Sequence, residues 1–246
     1  MNDKELQLSA VANVPARAGT RDLSAPSDAK PHRINLPSYT LGEEIVNSIT
    51  HGIGALLAIA ALVLLVIRAA TRAPEGETAG YVVGYTLFGA TLVIMYLVST
   101  LYHSLARCGA KRVFASLDHS AIFLLIAGTY SAYCLGPIYG GQGWWVFGTI
   151  WALAVIGIVS FSVYAYKASR FNLILYLAMG WFGVLVAPQL YEALPTISWT
   201  FLLLGGGLYT LGCVFFVVKI RWMHVAWHVF VLAGSVMHFF SLYYLI

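Results

Sequence analysis

The sequence predicts an all-α membrane protein: a bundle of seven transmembrane helices with its N terminus in the cytoplasm and its C terminus outside. Three observations carry this. The 246 residues are 60% hydrophobic and only 10% charged, a balance no ordinary soluble domain shows. From Glu44 onward the chain divides into seven apolar stretches, each near the ~20 residues that a ~30 Å hydrocarbon layer requires. Basic residues then gather in alternate connections, which sets the direction of threading.

Residues 1 to 40 come first and read as a disordered polar tail, rich in Ala, Ser and Pro, with Lys4, Arg17, Arg21, Lys30 and Arg33 nearly matched by Asp3, Glu5, Asp22 and Asp28. No apolar stretch in it would serve as a secretory signal. Residues 41 to 246 form the transmembrane domain. Its spans run from about Ile45 to Ile67, Gly80 to His103, Val113 to Leu135, Trp144 to Tyr164, Phe171 to Ala187, Ile197 to Val218 and His224 to Leu245. Tyr139, Trp144, Trp145, Trp199, Trp222 and Tyr243 stand at span ends, where aromatic belts meet the membrane interface. Gly80 with Gly84, and Gly205 to Gly207, mark places for close helix approach.

Arg107, Lys111 and Arg112 follow span two, Lys167 and Arg170 follow span four, and Lys219 and Arg221 follow span six. The opposite connections hold only Arg68 and Arg72. These positions give the orientation and leave no basic face for nucleic acid. The threading is opposite to that of G-protein-coupled receptors, and no lysine lies deep in a span to form a retinal Schiff base. Cys108, Cys134 and Cys213 lack paired spacing, so they read as small packing residues rather than disulfide or thiolate-metal partners.

Ionisable residues inside apolar spans are costly and point to function. Past Glu77 the only acidic residues are Asp118 and Glu192. With the topology above, Glu43, Glu44, Asn47 and His51 open span one at the cytoplasmic side, and Ser99 and His103 close span two there. Asp118 and His119 begin span three, and His224 and His228 begin span seven, at the same level. His224 and His228 are four residues apart, ~40° around a helix and ~6 Å along it, which is metal-ligand spacing. The economical constellation has His103, His224 and His228 as neutral imidazole ligands of Zn2+, with Asp118 holding either a metal-bound water or a ligand imidazole. The competing reading of Asp118 is a salt bridge to Lys111 or Arg112. Ser99 either helps hold the water or bonds its own helix carbonyl. His51, His119 and His238 are assigned first to interhelical hydrogen bonds. His238 lies ~15 Å beyond His228 along the helix, too far to join the same metal.

EEIVNSITHGIG in span one, STLYH in span two, LDH and LIAGTY in span three, and HVAWHVFVLAGSVMHFF in span seven together resemble the haemolysin III family. That family belongs with the progestin and adipoQ receptors and, more distantly, with alkaline ceramidase-like membrane hydrolases. The resemblance covers about residues 40 to 246. It implies a seven-helix bundle with cytoplasm-facing zinc, with ligands matching His103, His224 and His228 and a water-associated aspartate matching Asp118. Glu44, Asn47 and His51 match the first-span motif without an assigned role. A hormone-receptor role does not carry over.

The expected function is a zinc-dependent hydrolase of an amide or ester bond in a membrane lipid that enters between helices, with Asp118 and Ser99 as catalytic residues. Two alternatives come from other classes: a pore-forming, cytolytic protein, and a non-enzymatic regulator of membrane lipid or energetic state.

Overall fold

The structure, a computed structural model, describes residues 38–105, 109–164 and 169–246. Most of the expected polar tail, and the expectations for Arg107, Cys108 and Lys167, lie outside the described residues. What is described is helical: α1 (Leu41–Arg72), α2 (Thr78–Ser104), α3 (Gly109–Cys134), α4 (Gly141–Tyr164), α5 (Ser169–Trp181), α6 (Ala187–Ala193), α7 (Thr196–Val217) and α8 (Met223–Tyr243). A 3₁₀ turn, Phe182–Val186, joins α5 to α6. Seven helical segments are long and apolar enough to cross a membrane, the fifth being the broken Phe171–Ala193. With strands absent among the described residues, the molecule is an all-α, multi-pass membrane protein.

The surface fits that medium. Ile49, Ile53, Leu56 and Ile67 of α1 are each about half exposed or more, while its opposite stripe, Asn47, His51, Gly54, Ala58, Leu65 and Ala69, is buried. Steps of three and four residues keep this stripe on one helix face. Its small side chains let α2 come close. Close approach recurs between α2 and α3, where a Cβ on Gly84 would come 2.8 Å from the Ser131 carbonyl oxygen and 2.9 Å from the Ala132 Cα. Of the run Gly205 to Gly207 on α7, only Gly205 serves packing in this way; Gly206 and Gly207 meet nothing within 4 Å.

In sequence order α1 packs on α2, α2 on α3, α3 on α4 and α7 on α8, and α8 then returns to α1. This return brings the start of the last helix beside the start of the first and the end of the second. The α1 terminus is capped by Thr40, whose hydroxyl accepts from the Glu43 N–H, while the Thr40 N–H donates to Glu43 Oε2 at 2.9 Å, a reciprocal capping box. Glu43 Oε1 also accepts the Trp222 N–H at 2.7 Å. Trp222 holds a left-handed φ of 69°, unusual for a bulky residue, and immediately precedes α8. One carboxylate thus ties the entry of α1 to the entry of α8, two residues before His224.

The fifth span departs from the plain helix expected over Phe171 to Ala187. Gly180 and Gly183 weaken it, and Pro188 cannot donate to a carbonyl one turn back, so the helix tightens into the 3₁₀ turn and restarts to reach Ala193. Freed backbone groups inside a bilayer need partners. Tyr130 of α3 supplies two: its hydroxyl donates to the Gly180 carbonyl at 3.0 Å and accepts the Gly183 N–H at 2.6 Å.

Candidate metal centre and the cavities beside it

His103, His224 and His228 come together at the end of the bundle where α1 begins. One ring nitrogen from each lies within 4.8 Å of the others. His224 Nε2 and His228 Nε2 stand 3.2 Å apart. Two nitrogens of a tetrahedral site with bonds of ~2.0–2.1 Å stand ~3.3 Å apart, so this pair already has the span of two ligands to one ion. The donor set, three imidazoles without a thiolate, suits zinc among other borderline cations. His103 Nε2 is buried with no hydrogen-bond partner among the described residues, which is what a nitrogen awaiting a metal looks like.

The tautomer of His103 follows from its other nitrogen. Nδ1 is 2.6 Å from Glu44 Oε2. Glu44 Oε1 in turn accepts from Lys111 Nζ at 2.6 Å, and that ammonium also donates to the Leu105 carbonyl at 3.0 Å. Beside an ammonium the carboxylate is ionised and can only accept, so the imidazole donates its Nδ1–H and keeps the Nε2 lone pair. Carboxylate behind imidazole is the usual support of a metal ligand. Lys111, read from sequence as a loop charge, is only 3% exposed, and its partner is Glu44 rather than Asp118. The salt-bridge reading of Asp118 with Lys111 is therefore corrected.

Rings fill the space around the triad. His51 lies flat on His228, centroids 3.7 Å apart and planes 15° from parallel, with Tyr96 edge-on at 5.0 Å. Its two nitrogens are buried without a hydrogen bond of acceptable geometry among the described residues, so His51 stacks where an interhelical hydrogen bond was expected. The amide of Asn47, fully buried, is likewise without a partner among them, and its backbone carbonyl faces the His228 ring. Tyr39, which sequence reasoning passed over, stacks on His224 at 4.6 Å and 18°. It covers the centre from the side where α1 starts.

Asp118 and Ser99 meet at a second feature, a cavity of about 20 Å³ lined also by His51, His119, His224 and His228. Its size suits a single water molecule. Ser99 is 1% exposed and its hydroxyl makes no hydrogen bond among the described residues, so the alternative of a bond to its own helix carbonyl is not taken. His119 stands 3.9 Å from Asp118 through Nδ1, which bonds the Ala115 carbonyl of its own helix at 2.9 Å, and its ring stacks on Phe161 of α4 at 4.7 Å. The partner found for its nitrogen is thus intrahelical. Tyr176 of α5 donates to the His119 carbonyl at 2.8 Å and so links the fifth span to this wall.

A larger cavity of about 280 Å³ lies beside it between α3, the fifth span, α7 and α8. Met95, Ile122, Trp227 and Val231 belong to the walls of both. Leu125, Ile126, Leu177, Val186 and Leu202 make the rest largely apolar. Trp181, Val184 and Leu203 line it while half exposed on the outer surface, so it opens sideways between the fifth span and α7. Trp181 Nε1 donates to Thr210 Oγ1 at 3.1 Å across that opening. His238 is on its wall, remote from the triad.

Comparison with known proteins gives a consistent result. Residues 39–239 match the family model described as Haemolysin-III related. The chain is 42% identical over 199 residues to Hemolysin-3 of Bacillus cereus, covering 80% of this chain and 89% of the relative. It is 43% identical over 206 residues to a Hemolysin-3 homolog of Bacillus subtilis (strain 168), covering 82% and 93%. A Monocyte to macrophage differentiation factor of Rattus norvegicus is 29% identical over 168 residues, 64% of this chain and 68% of that one. No solved structure matches.

Proposed function

We infer the function from two facts: the chain belongs to the Haemolysin-III related family, and His224 and His228 of its histidine triad line a water-sized cavity with Asp118 and Ser99 that backs onto a larger apolar one. The reading is a zinc-dependent hydrolase acting within the membrane on an amide or ester bond of a lipid. The observation that carries it is the wall the two cavities share, Met95, Ile122, Trp227 and Val231, which sets Asp118, Ser99, His224 and His228 beside a cavity whose lining suits an apolar chain.

His103, His224 and His228 hold the metal. When bound, zinc supplies Lewis acidity and lowers the proton affinity of water at neutral pH. Everything else is done by the chain. The lateral opening admits the lipid from the bilayer, and the apolar walls hold its chain and keep bulk water out. The Ser99 hydroxyl, which has no partner among the described residues, donates to the water or to the carbonyl oxygen as that oxygen gains charge. Asp118 takes a proton from the water as its oxygen bonds to the carbonyl carbon, then returns that proton to the leaving nitrogen or oxygen as the scissile bond breaks. Glu44, held by Lys111, keeps His103 in the ligating tautomer. The charges Lys111, Arg112, Lys219 and Arg221 gather at this end of the bundle and support a cytoplasmic side for the site.

The test is direct. Purified protein in lipid nanodiscs is given N-acyl and O-acyl amphiphiles, and released fatty acid is measured by mass spectrometry. Wild type releases acid from at least one class, and Asp118→Asn lowers the rate by ~10²–10⁴-fold while keeping its metal. No release from any probe by metal-loaded protein would overturn the hydrolase. The haemolysin name of the Bacillus relatives suggests a second reading, a cytolytic protein; dye leakage from vesicles that survives loss of the triad would favour it.

A further inference from the structure

α8 continues past the triad, and ten residues beyond His228 it places His238, ~15 Å farther along the axis. His238 is 6% exposed and lines the large cavity. Its Nδ1 is buried with no hydrogen-bond partner among the described residues. The ring is nevertheless held on two sides. Gly205 of α7 leaves it room, since a Cβ there would come 2.8 Å from Cδ2 and 2.9 Å from Nε2. Tyr209, one turn along α7, stacks on it at 5.3 Å and 19°, but the tyrosine hydroxyl is committed to Ser235 Oγ at 2.8 Å.

A buried imidazole without a partner costs free energy that a phenylalanine of similar shape would not. Packing alone therefore does not account for a histidine here. The cavity wall supplies the missing explanation: a molecule lying along it with its head toward the wall shared with the small cavity would pass His238. We propose that the lipid held in this cavity carries a second hydrogen-bonding group, a hydroxyl or carbonyl on its chain ~15 Å from the bond presented to the triad, and that His238 recognises that group. This rests on the hydrolase reading and narrows its substrate class to chain-oxygenated amphiphiles.

The test uses the full-length chain in phosphatidylcholine nanodiscs. The probes are ethanolamides of octadecanoic acid, either plain or with one hydroxyl moved stepwise along the chain. Binding is read from the fluorescence of Trp199 and Trp227, which line the cavity. Wild type shows an affinity maximum of ~3- to 10-fold over the plain chain at one hydroxyl position, the worth of one hydrogen bond to a buried group. His238→Phe flattens that profile, and His238→Gln, which retains a hydrogen-bonding amide, keeps part of it. A flat wild-type profile, or a maximum that survives His238→Phe, overturns the proposal; the wild-type profile decides even if the phenylalanine variant fails to fold. Turnover and metal content are measured separately. A maximum without turnover would sink the hydrolase and leave the subsite, whereas turnover with a flat profile would do the reverse.

Discussion

His103 works through Glu44. The 2.6 Å contact to Nδ1 and the 2.6 Å contact of Lys111 to the same carboxylate fix which nitrogen is free for a metal. Glu44→Gln offers a neutral amide whose orientation and tautomer preference are ambiguous, so zinc affinity is expected to fall ~10- to 100-fold, as read by competition with a chromogenic chelator. Affinity equal to wild type would remove Glu44 from the centre. Lys111→Met is harsher for folding, because it leaves the carboxylate without its cation in a mostly buried position. A loss of ~3–5 kcal/mol is expected from denaturant unfolding in mild detergent. In the chain as letters, Lys111 was indistinguishable from Arg112 beside it, one of several loop charges. Only the packing of α3 on α2, which brings Lys111 to Glu44 of α1, shows that it turns inward. Ser99 and Asp118 stood out in the sequence as polar groups within apolar spans, and both line the small cavity. The role of Tyr39 was not, since a tyrosine just before a span also looks like an interface residue.

At the scale of elements, α1 and α8 are registered by Glu43, whose carboxylate caps α1 and receives the Trp222 N–H. Glu43→Ala removes both, and about 1–3 kcal/mol of stability should go with the unpaired donors. His224, two residues past the turn, should lose order with it, so the variant is expected to bind zinc more weakly as well. Unchanged stability and affinity would show that the left-handed Trp222 turn holds itself. Elsewhere Tyr130→Phe strips both partners from the break in the fifth span, and a melting temperature a few degrees below wild type is the expected outcome. No shift would mean that the break is indifferent to its stitching. That break shows where the sequence reading stopped short. Gly180, Gly183 and Pro188 stood in plain view, but the run was apolar enough to read as one helix ending near Ala187. Hydropathy reports burial in lipid and is blind to a 3₁₀ turn whose freed groups a neighbouring helix satisfies.

Across the whole molecule, hydropathy alone predicted the number and order of spans, since a bilayer demands a long apolar run from every helix that crosses it. It could not show which helices touch. The return of α8 to α1 is what makes one site of His103 with His224 and His228, far apart in sequence, and it was approached from sequence only by supposing that polar groups at one depth converge. His51 meets that supposition in place but by a different contact: it joins the cluster by stacking on His228, as His238, set apart from it, stacks on Tyr209. The large cavity left no periodic trace at all, because its walls are the same leucines, valines and aromatics that elsewhere face lipid.

The central claim is that His103, His224 and His228 hold one metal ion, and it is tested most directly by elemental mass spectrometry of detergent-purified protein prepared without chelators, wild type beside His228→Ala. About one zinc per chain is expected in wild type, with little or none in a variant whose helical content is intact. Wild type free of stoichiometric metal, or a His228→Ala protein that keeps all of it, would contradict the account.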